Sequence, residues 1–148
     1  MLYQVINETH ISKLAELYVE TYNAPPWNDQ WTLRLAMQKL DEMINCRDSF
    51  GLIACEDESN ILGMIVGSSE IYYNCKQFFI KDFFVIPSMQ GHGIGTALMA
   101  EFESRLKNKG IDKTYLFTSR GDKTENYYQK CGYRSWNNMV IMGKSICK

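Results

Sequence analysis

Three glycines at alternate positions, Gly91, Gly93 and Gly95, stand between an apolar stretch and an amphipathic one. That arrangement restricts the possible folds more than any other feature of the chain. The segment reads Lys81-Asp82-Phe83-Phe84-Val85-Ile86-Pro87-Ser88-Met89-Gln90-Gly91-His92-Gly93-Ile94-Gly95-Thr96-Ala97-Leu98. Residues 77–86 read as a strand stopped by Pro87. Ile94, Leu98, Phe102 and Leu106 recur at i, i+4 spacing and predict a helix over residues 94–109, with Gly110 as its stop. A buried strand that passes through a glycine turn into a helix belongs to an α/β layout. Such glycines let the backbone approach a ligand closely. The N–H groups at the helix start, with the helix dipole, suit a phosphate or pyrophosphate, and Gln90 can add a neutral donor. Two other glycine loops do not match. A P-loop ends in Lys-Ser/Thr, which does not follow Gly95. A dinucleotide fingerprint has GxGxxG spacing early in a βαβ unit, whereas Gly91-x-Gly93-x-Gly95 lies past mid-chain.

The rest of the chain supplies elements around this turn. Residues 2–6 form a short strand. Thr9 caps a helix to about Tyr22, with Ile11, Leu14, Ala15, Tyr18 and Tyr22 on one face. Asn23-Ala24-Pro25-Pro26 ends that helix, and Thr32 caps a second one to about Asn45. Residues 50–55 and 61–68 read as a hairpin across the polar run 56–60. Residues 114–119 form a strand, 125–130 a short helix and 139–145 a final strand. The expected order is β-α-α-β-β-β-α-β-α-β in one mixed α/β domain over residues 1–148.

Size and charge exclude several functions. At 148 residues with 45% apolar and 22% charged side chains, the chain is neither disordered nor large enough for a second substantial domain. Its longest run without a charged or strongly polar residue, about residues 61–67, is far short of the ~18 that a membrane helix needs. The first residues, Met1-Leu2-Tyr3-Gln4, lack the pattern of a signal peptide, so a cytoplasmic location is expected. Five cysteines without a CxxC pair, and only His10 and His92 beside them, suggest reduced thiols and no metal site. The net charge of −1 hides an asymmetry: residues 1–75 hold 11 acids and 4 bases, residues 76–148 hold 6 acids and 12 bases. The bases are interspersed with acids, which does not indicate a nucleic-acid surface.

Gln90-Gly91-His92-Gly93-Ile94-Gly95 resembles the (Q/R)-x-x-G-x-(G/A) acyl-CoA loop of the GNAT family of N-acetyltransferases. Asp82-Phe83-Phe84-Val85-Ile86-Pro87 is similar to that family's preceding strand. Tyr127-Tyr128-Gln129-Lys130-Cys131-Gly132-Tyr133 resembles its (F/L)-Y-x-x-x-G-(F/Y) signature. The resemblance covers nearly the whole chain. It implies a mostly antiparallel sheet flanked by helices, in which two strands splay apart and acetyl-CoA enters the gap. One position departs from the pattern: many members carry Asn seven residues before the conserved Tyr, and here Gly121 stands there.

The resemblance also implies residue roles. The backbones of Phe84 and Val85 meet the pantetheine arm, and an N–H near Val85 serves the oxyanion. The segment Gln90, Gly91, His92, Gly93, Ile94, Gly95 and Thr96 takes the pyrophosphate, and catalysis by His92 is not expected. Tyr128 is the candidate general acid, since its hydroxyl stays protonated and can donate to the departing thiolate. Asp82 is a candidate base acting through water, a binder of the amine's charge, or a structural carboxylate. Relatives that acetylate polyamines carry Glu where Lys81 stands, which weakens a transfer of their assignments.

The resemblance implies an acceptor site built from the first two helices, their connection and the strands beside the cofactor. There Trp27 and Trp31 either wall a pocket for a cationic or amphipathic amine or anchor the loop. Asp29 can pair a cation, and Tyr72 can line the same pocket. The reading is an acetyl-CoA-dependent N-acetyltransferase acting by direct transfer on a primary amine, more plausibly a small molecule than a protein, with a homodimer possible. The alternatives are a non-catalytic acyl-CoA sensor, or a protein or aminoacyl-tRNA acetyltransferase of the same fold.

Overall fold

The computed structural model describes residues 1–121 and 123–147. The chain divides into two compact units, Met1–Phe117 and Thr118–Lys148.

The first unit is built on a five-stranded sheet in sequence order: β1 (Leu2–Val5), β2 (Ser49–Cys55), β3 (Ile61–Tyr72), β4 (Cys75–Val85) and β5 (Lys113–Leu116). β1 to β4 pair antiparallel, and β5 joins β4 in parallel. Helices α1 (Ile11–Tyr22) and α2 (Leu33–Asn45) cover one face, packing Leu14, Tyr18, Ala36 and Leu40 on Ile53, Met64, Val66 and Phe84. Helix α3 (Ile94–Asn108) serves the other face, where the ring of Phe102 meets those of Phe50 and Phe78. Both faces are therefore dry, and residues 61–67 of β3 are buried without interruption. This is why that stretch reads as a continuous apolar run and not as an alternating one.

Local signals explain most boundaries. Thr32 caps α2 by accepting the N–H of Leu35 at 3.1 Å. Gly110, at φ 80°, ends α3 in a Schellman motif, with Gly110 N–H on Lys107 O and Ile111 N–H on Leu106 O, both at 3.1 Å. The first helix begins differently from the expectation of a Thr9 cap. Asn7 accepts the N–H of Thr9 at 2.9 Å and opens a 3-10 turn over Glu8–His10 that leads into α1. The β3–β4 hairpin is longer than expected and turns at Tyr73 and Asn74.

Pairing of β4 with β3 contains one bulge. Val66 faces Asp82 and Gly67 faces Ile80, so Lys81 is the extra residue. Before the bulge Phe78 points to Phe102 on α3; after it Phe84 points to Tyr18 on α1. The side-chain alternation is reversed at Lys81, and Asp82 is turned toward α1 as a result.

The second unit contains α4 (Thr124–Lys130). The strand expected over residues 139–145 does not form: this segment has no ladder, and Val140 and Met142 are 80% and 87% exposed. A strand is stabilised by a paired neighbour and by burial of at least one face, and these residues have neither.

Candidate active site

β5 pairs only with Gln77–Ile80 of β4. β4 continues to Val85 with β3 on one side and, among the described residues, no strand on the other. Ile86 donates its N–H to Leu62 O at 2.9 Å on the β3 side. Successive amides alternate along a strand, so Val85 directs its N–H and carbonyl to the open edge. Phe84 directs its own N–H toward β3, and its side chain is buried beside Tyr18 and Tyr22. Of the two residues expected to meet a pantetheine arm through the backbone, only Val85 presents its amide there. Gln90 folds back to donate to Val85 O at 2.9 Å, which orients its side chain toward the strand end.

The loop that follows uses its glycines for conformation. Gly91 and Gly93 both have φ 81°, and a Cβ at either would meet nothing within 4 Å. The requirement is thus the left-handed backbone and not crowding. Gly93 starts α3, whose first intrahelical bond runs from Ala97 N–H to Gly93 O at 3.1 Å. The N–H groups of Ile94, Gly95 and Thr96 have no acceptor within the helix. The exposed His92 ring lies over the loop, with Nδ1 at 3.2 Å from Met89 O and 3.1 Å from Gln90 O. Two facing carbonyls require that nitrogen to carry the proton.

Asp82 occupies the centre of an aromatic cluster. Tyr18 donates to its Oδ2 at 2.9 Å, and Tyr22 donates to its Oδ1 and also reaches Phe83 O at 3.3 Å. Burial raises the Asp82 pKa above the usual carboxylate range, and the two tyrosine hydroxyls and the charge of Lys39 offset this only in part. Burial first, and then the Asp82 charge, raise the Tyr18 pKa too, so that hydroxyl stays a donor. The two tyrosines escaped notice as site residues because i, i+4 aromatics on an apolar helix face read as core. The available signal was that a buried Tyr hydroxyl needs a partner, and Asp82 was the unexplained carboxylate.

The α1–α2 connection closes over this cluster. Asn23 holds Trp31 through both backbone groups, accepting its N–H at 2.8 Å and donating to its O at 2.9 Å. The Trp31 ring stands edge-on to Tyr18 at 5.0 Å, and its Nε1 donates to Asp29 at 3.1 Å. Trp31 thus anchors the loop. Trp27 leans on Tyr22 at 5.3 Å and remains 36% exposed. Tyr72 is elsewhere: its ring is tilted against that of Tyr73 at the hairpin tip, six residues along β3 from the partner of Asp82, or about 20 Å at 3.3 Å per residue. It does not share a pocket with Trp27, Asp29 and Trp31.

Tyr128 belongs to α4 in the second unit, its ring 5.3 Å from Tyr127 and 5.9 Å from Tyr133. Gly132, at φ 97°, ends this helix as another Schellman motif: Gly132 N–H bonds Gln129 O and Tyr133 N–H bonds Tyr128 O, both at 3.0 Å. The Tyr-x-x-x-Gly-Tyr spacing is therefore a helix stop that fixes Tyr128 in the last turn, with the apolar contact that accompanies the motif supplied by Tyr133. Gly132→Ala is expected to cost about 1–2 kcal/mol, seen as earlier loss of structure in denaturant.

All five cysteines are free thiols. Among the described residues, no group of three or more His, Cys, Asp or Glu is placed to hold a metal ion, and no helix is long and apolar enough to cross a membrane.

The model of the acetyltransferase (GNAT) family matches residues 11–133. A glucosamine 6-phosphate N-acetyltransferase of Trypanosoma brucei brucei is 27% identical over 139 residues, covering 89% of this chain and 88% of that protein. Among solved structures, a probable acetyltransferase superposes with a TM-score of 0.82 at 14% identity, over 100% of this chain and 99% of the other. An aminoglycoside N-acetyltransferase in complex with CoA superposes with a TM-score of 0.74 at 19% identity, over 99% of this chain and 95% of the other. The glycine turn, the half-open β4 edge and the match over residues 11–133 lead to one conclusion: the chain belongs to the GNAT family of acetyltransferases.

Proposed function

We propose that this protein is an N-acetyltransferase that uses acetyl-CoA and transfers the acetyl group directly to the primary amine of a small molecule. The observation that carries the reading is the half-open edge of β4 at Val85, followed within nine residues by the start of α3. Acetyl-CoA supplies an activated thioester carbonyl and a thiol leaving group. The Val85 N–H, on the open edge, is the donor for the carbonyl oxygen that gains negative charge. The amides of residues 91–96, with the positive end of α3, suit a pyrophosphate. The open space around Gly91 and Gly93 is consistent with a ligand there. The trypanosomal relative, named for a small amino sugar phosphate, supports a small-molecule acceptor.

Proton bookkeeping assigns two side chains. An alkyl amine is mostly protonated at neutral pH and must lose a proton before attack. Asp82 accepts that proton, directly or through water, with an affinity raised by burial. Tyr18 and Tyr22 hold the carboxylate in one orientation and remain donors to it. Tyr128 gives the hydroxyl proton that converts the leaving thiolate to a thiol.

The test is a mass-spectrometric screen of pooled amines with acetyl-CoA, reading products 42 Da heavier than an input. An acetylated small amine whose yield falls about a hundredfold with Tyr128→Phe supports the enzyme and the general acid. Binding of acetyl-CoA without any product moves the assignment to a non-catalytic acyl-CoA sensor. Neither binding nor product refutes the site.

A further inference from the structure

A groove of about 330 Å³ lies between α2 and β4, lined by Lys39, Glu42, Met43, Phe79 and Lys81. Lys39 and Lys81 reach it from different elements, and among the described residues neither has a carboxylate within 4 Å. Lys81 donates to the Cys46 sulfur at 3.4 Å, a weak acceptor. Two ammonium groups face one carboxylate, Glu42, across walls that include the apolar Met43 and Phe79. The groove therefore carries a net positive charge, on side chains exposed to solvent. The bulge at Lys81 sets a lysine of this groove directly before Asp82 in the chain. Lys81 and Asp82 are consecutive, with Cα atoms about 3.8 Å apart, yet both serve the α1–α2 side of the sheet. The charge of Lys39 is also felt at Asp82.

We infer that this groove is an anion subsite of the acceptor pocket, and that the acceptor is a small amine which also bears a phosphate or carboxylate. This rests on the acetyltransferase reading above. The amine meets Asp82, and the anionic group, a few bonds away, meets Lys39 and Lys81. Glu42 is left to accept from a hydroxyl or second donor of the same molecule. The inference adds an anionic group to the cationic or amphipathic amine expected from Trp27, Trp31 and Asp29, because two lysines face one carboxylate at the groove.

The experiment compares matched acceptors on the full-length protein: glucosamine against glucosamine 6-phosphate, and β-alaninamide against β-alanine. It uses wild type, Lys39→Gln, Lys81→Gln and the double variant. A second readout, the melting temperature with and without inorganic phosphate or glucosamine 6-phosphate, needs no turnover. The expected result is a kcat/KM at least about tenfold higher for an anionic member of a pair, expressed in KM. The double variant should erase that ratio, and phosphate should stabilise wild type more than the double variant. Preference in only the phosphate pair or only the carboxylate pair supports the subsite and names its ligand. Acetylation of both members at equal rates overturns the subsite and leaves the acetyltransferase intact. Lysine-dependent phosphate binding without acetylation of any amine keeps an anion site at the groove but overturns its role in an acceptor pocket, along with the transfer reading. Phosphate binding that is absent or insensitive to both lysines, with no acetylation, overturns both.

Discussion

Asp82→Asn is expected to lower kcat/KM for an amine acceptor by about 10²–10³-fold near neutral pH, while the melting temperature stays level or rises. The fold tolerates the amide. The new side-chain oxygen can accept from Tyr18, and Tyr22 can turn its proton to Phe83 O, 3.3 Å away, and accept from the new NH₂. Linkage gives the sign for stability. Burial raises the Asp82 pKa above its ordinary 3.8, so the native state holds this proton more tightly than the unfolded chain does. The group's contribution to stability is then fully present below that ordinary 3.8 and is lost as pH rises through the folded value. Above that window the wild type carries a buried charge that Asn does not. For activity the sign is different. As pH rises toward the amine's own pKa, the acceptor loses its proton unaided and the base matters less. The ratio of wild-type to variant rates should therefore be largest at low pH and shrink as pH rises. A deficit of equal size at every pH would assign Asp82 to charge binding or to structure, and not to proton removal.

Asp82 also marks where the sequence stops being informative. The glycine turn was legible because it combines two local rules, left-handed backbone at Gly91 and Gly93 and a helix start after them, and both rules act within a few residues. The stops at Gly110 and Gly132 and the cap at Thr32 were readable for the same reason. The partners of Asp82 were not, since Tyr18 and Tyr22 lie 64 and 60 residues away and their convergence depends on the sheet bringing α1 over β4. Placement of Tyr72 failed for a related reason. It follows β3 in any sequence reading, but only the length of the hairpin shows that it is carried to the tip. The pairing of the groove lysines is not readable from regional charge: Lys39 lies in the acidic half and Lys81 in the basic half, and only the fold brings them to one groove. The strand expected over residues 139–145 shows the opposite error, an apolar pattern given weight without a neighbour to pair it.

Gly67→Ala is expected to be the most damaging single-methyl change in the first unit. A Cβ at this position would lie 1.9 Å from the carbonyl oxygen of Phe79 and 2.7 Å from Cε1 of Phe78. The first obstacle is backbone in the middle of the β3–β4 ladder and cannot rotate away, so the strands must part or the bulge must be lost. A cost of about 4 kcal/mol or more follows, a fall in melting temperature of roughly 10–15 °C for a chain of this size. Gly143→Ala is the control: a Cβ there meets nothing within 4 Å and φ is ordinary, so the melting temperature should not move. The damage should also be unequal between the two ligands. Gly67 sits at the bulge that reverses the alternation of β4, so any shift there moves Lys81 and Asp82 relative to α1. The start of α3 is set by Gly91 and Gly93, whose geometry is local. Below its melting temperature, the Gly67→Ala protein should therefore keep most of its affinity for acetyl-CoA while losing acceptor turnover. Equal loss of both would mean that the glycine loop takes its shape from the bulge, and that the donor and acceptor halves of the site are not independent.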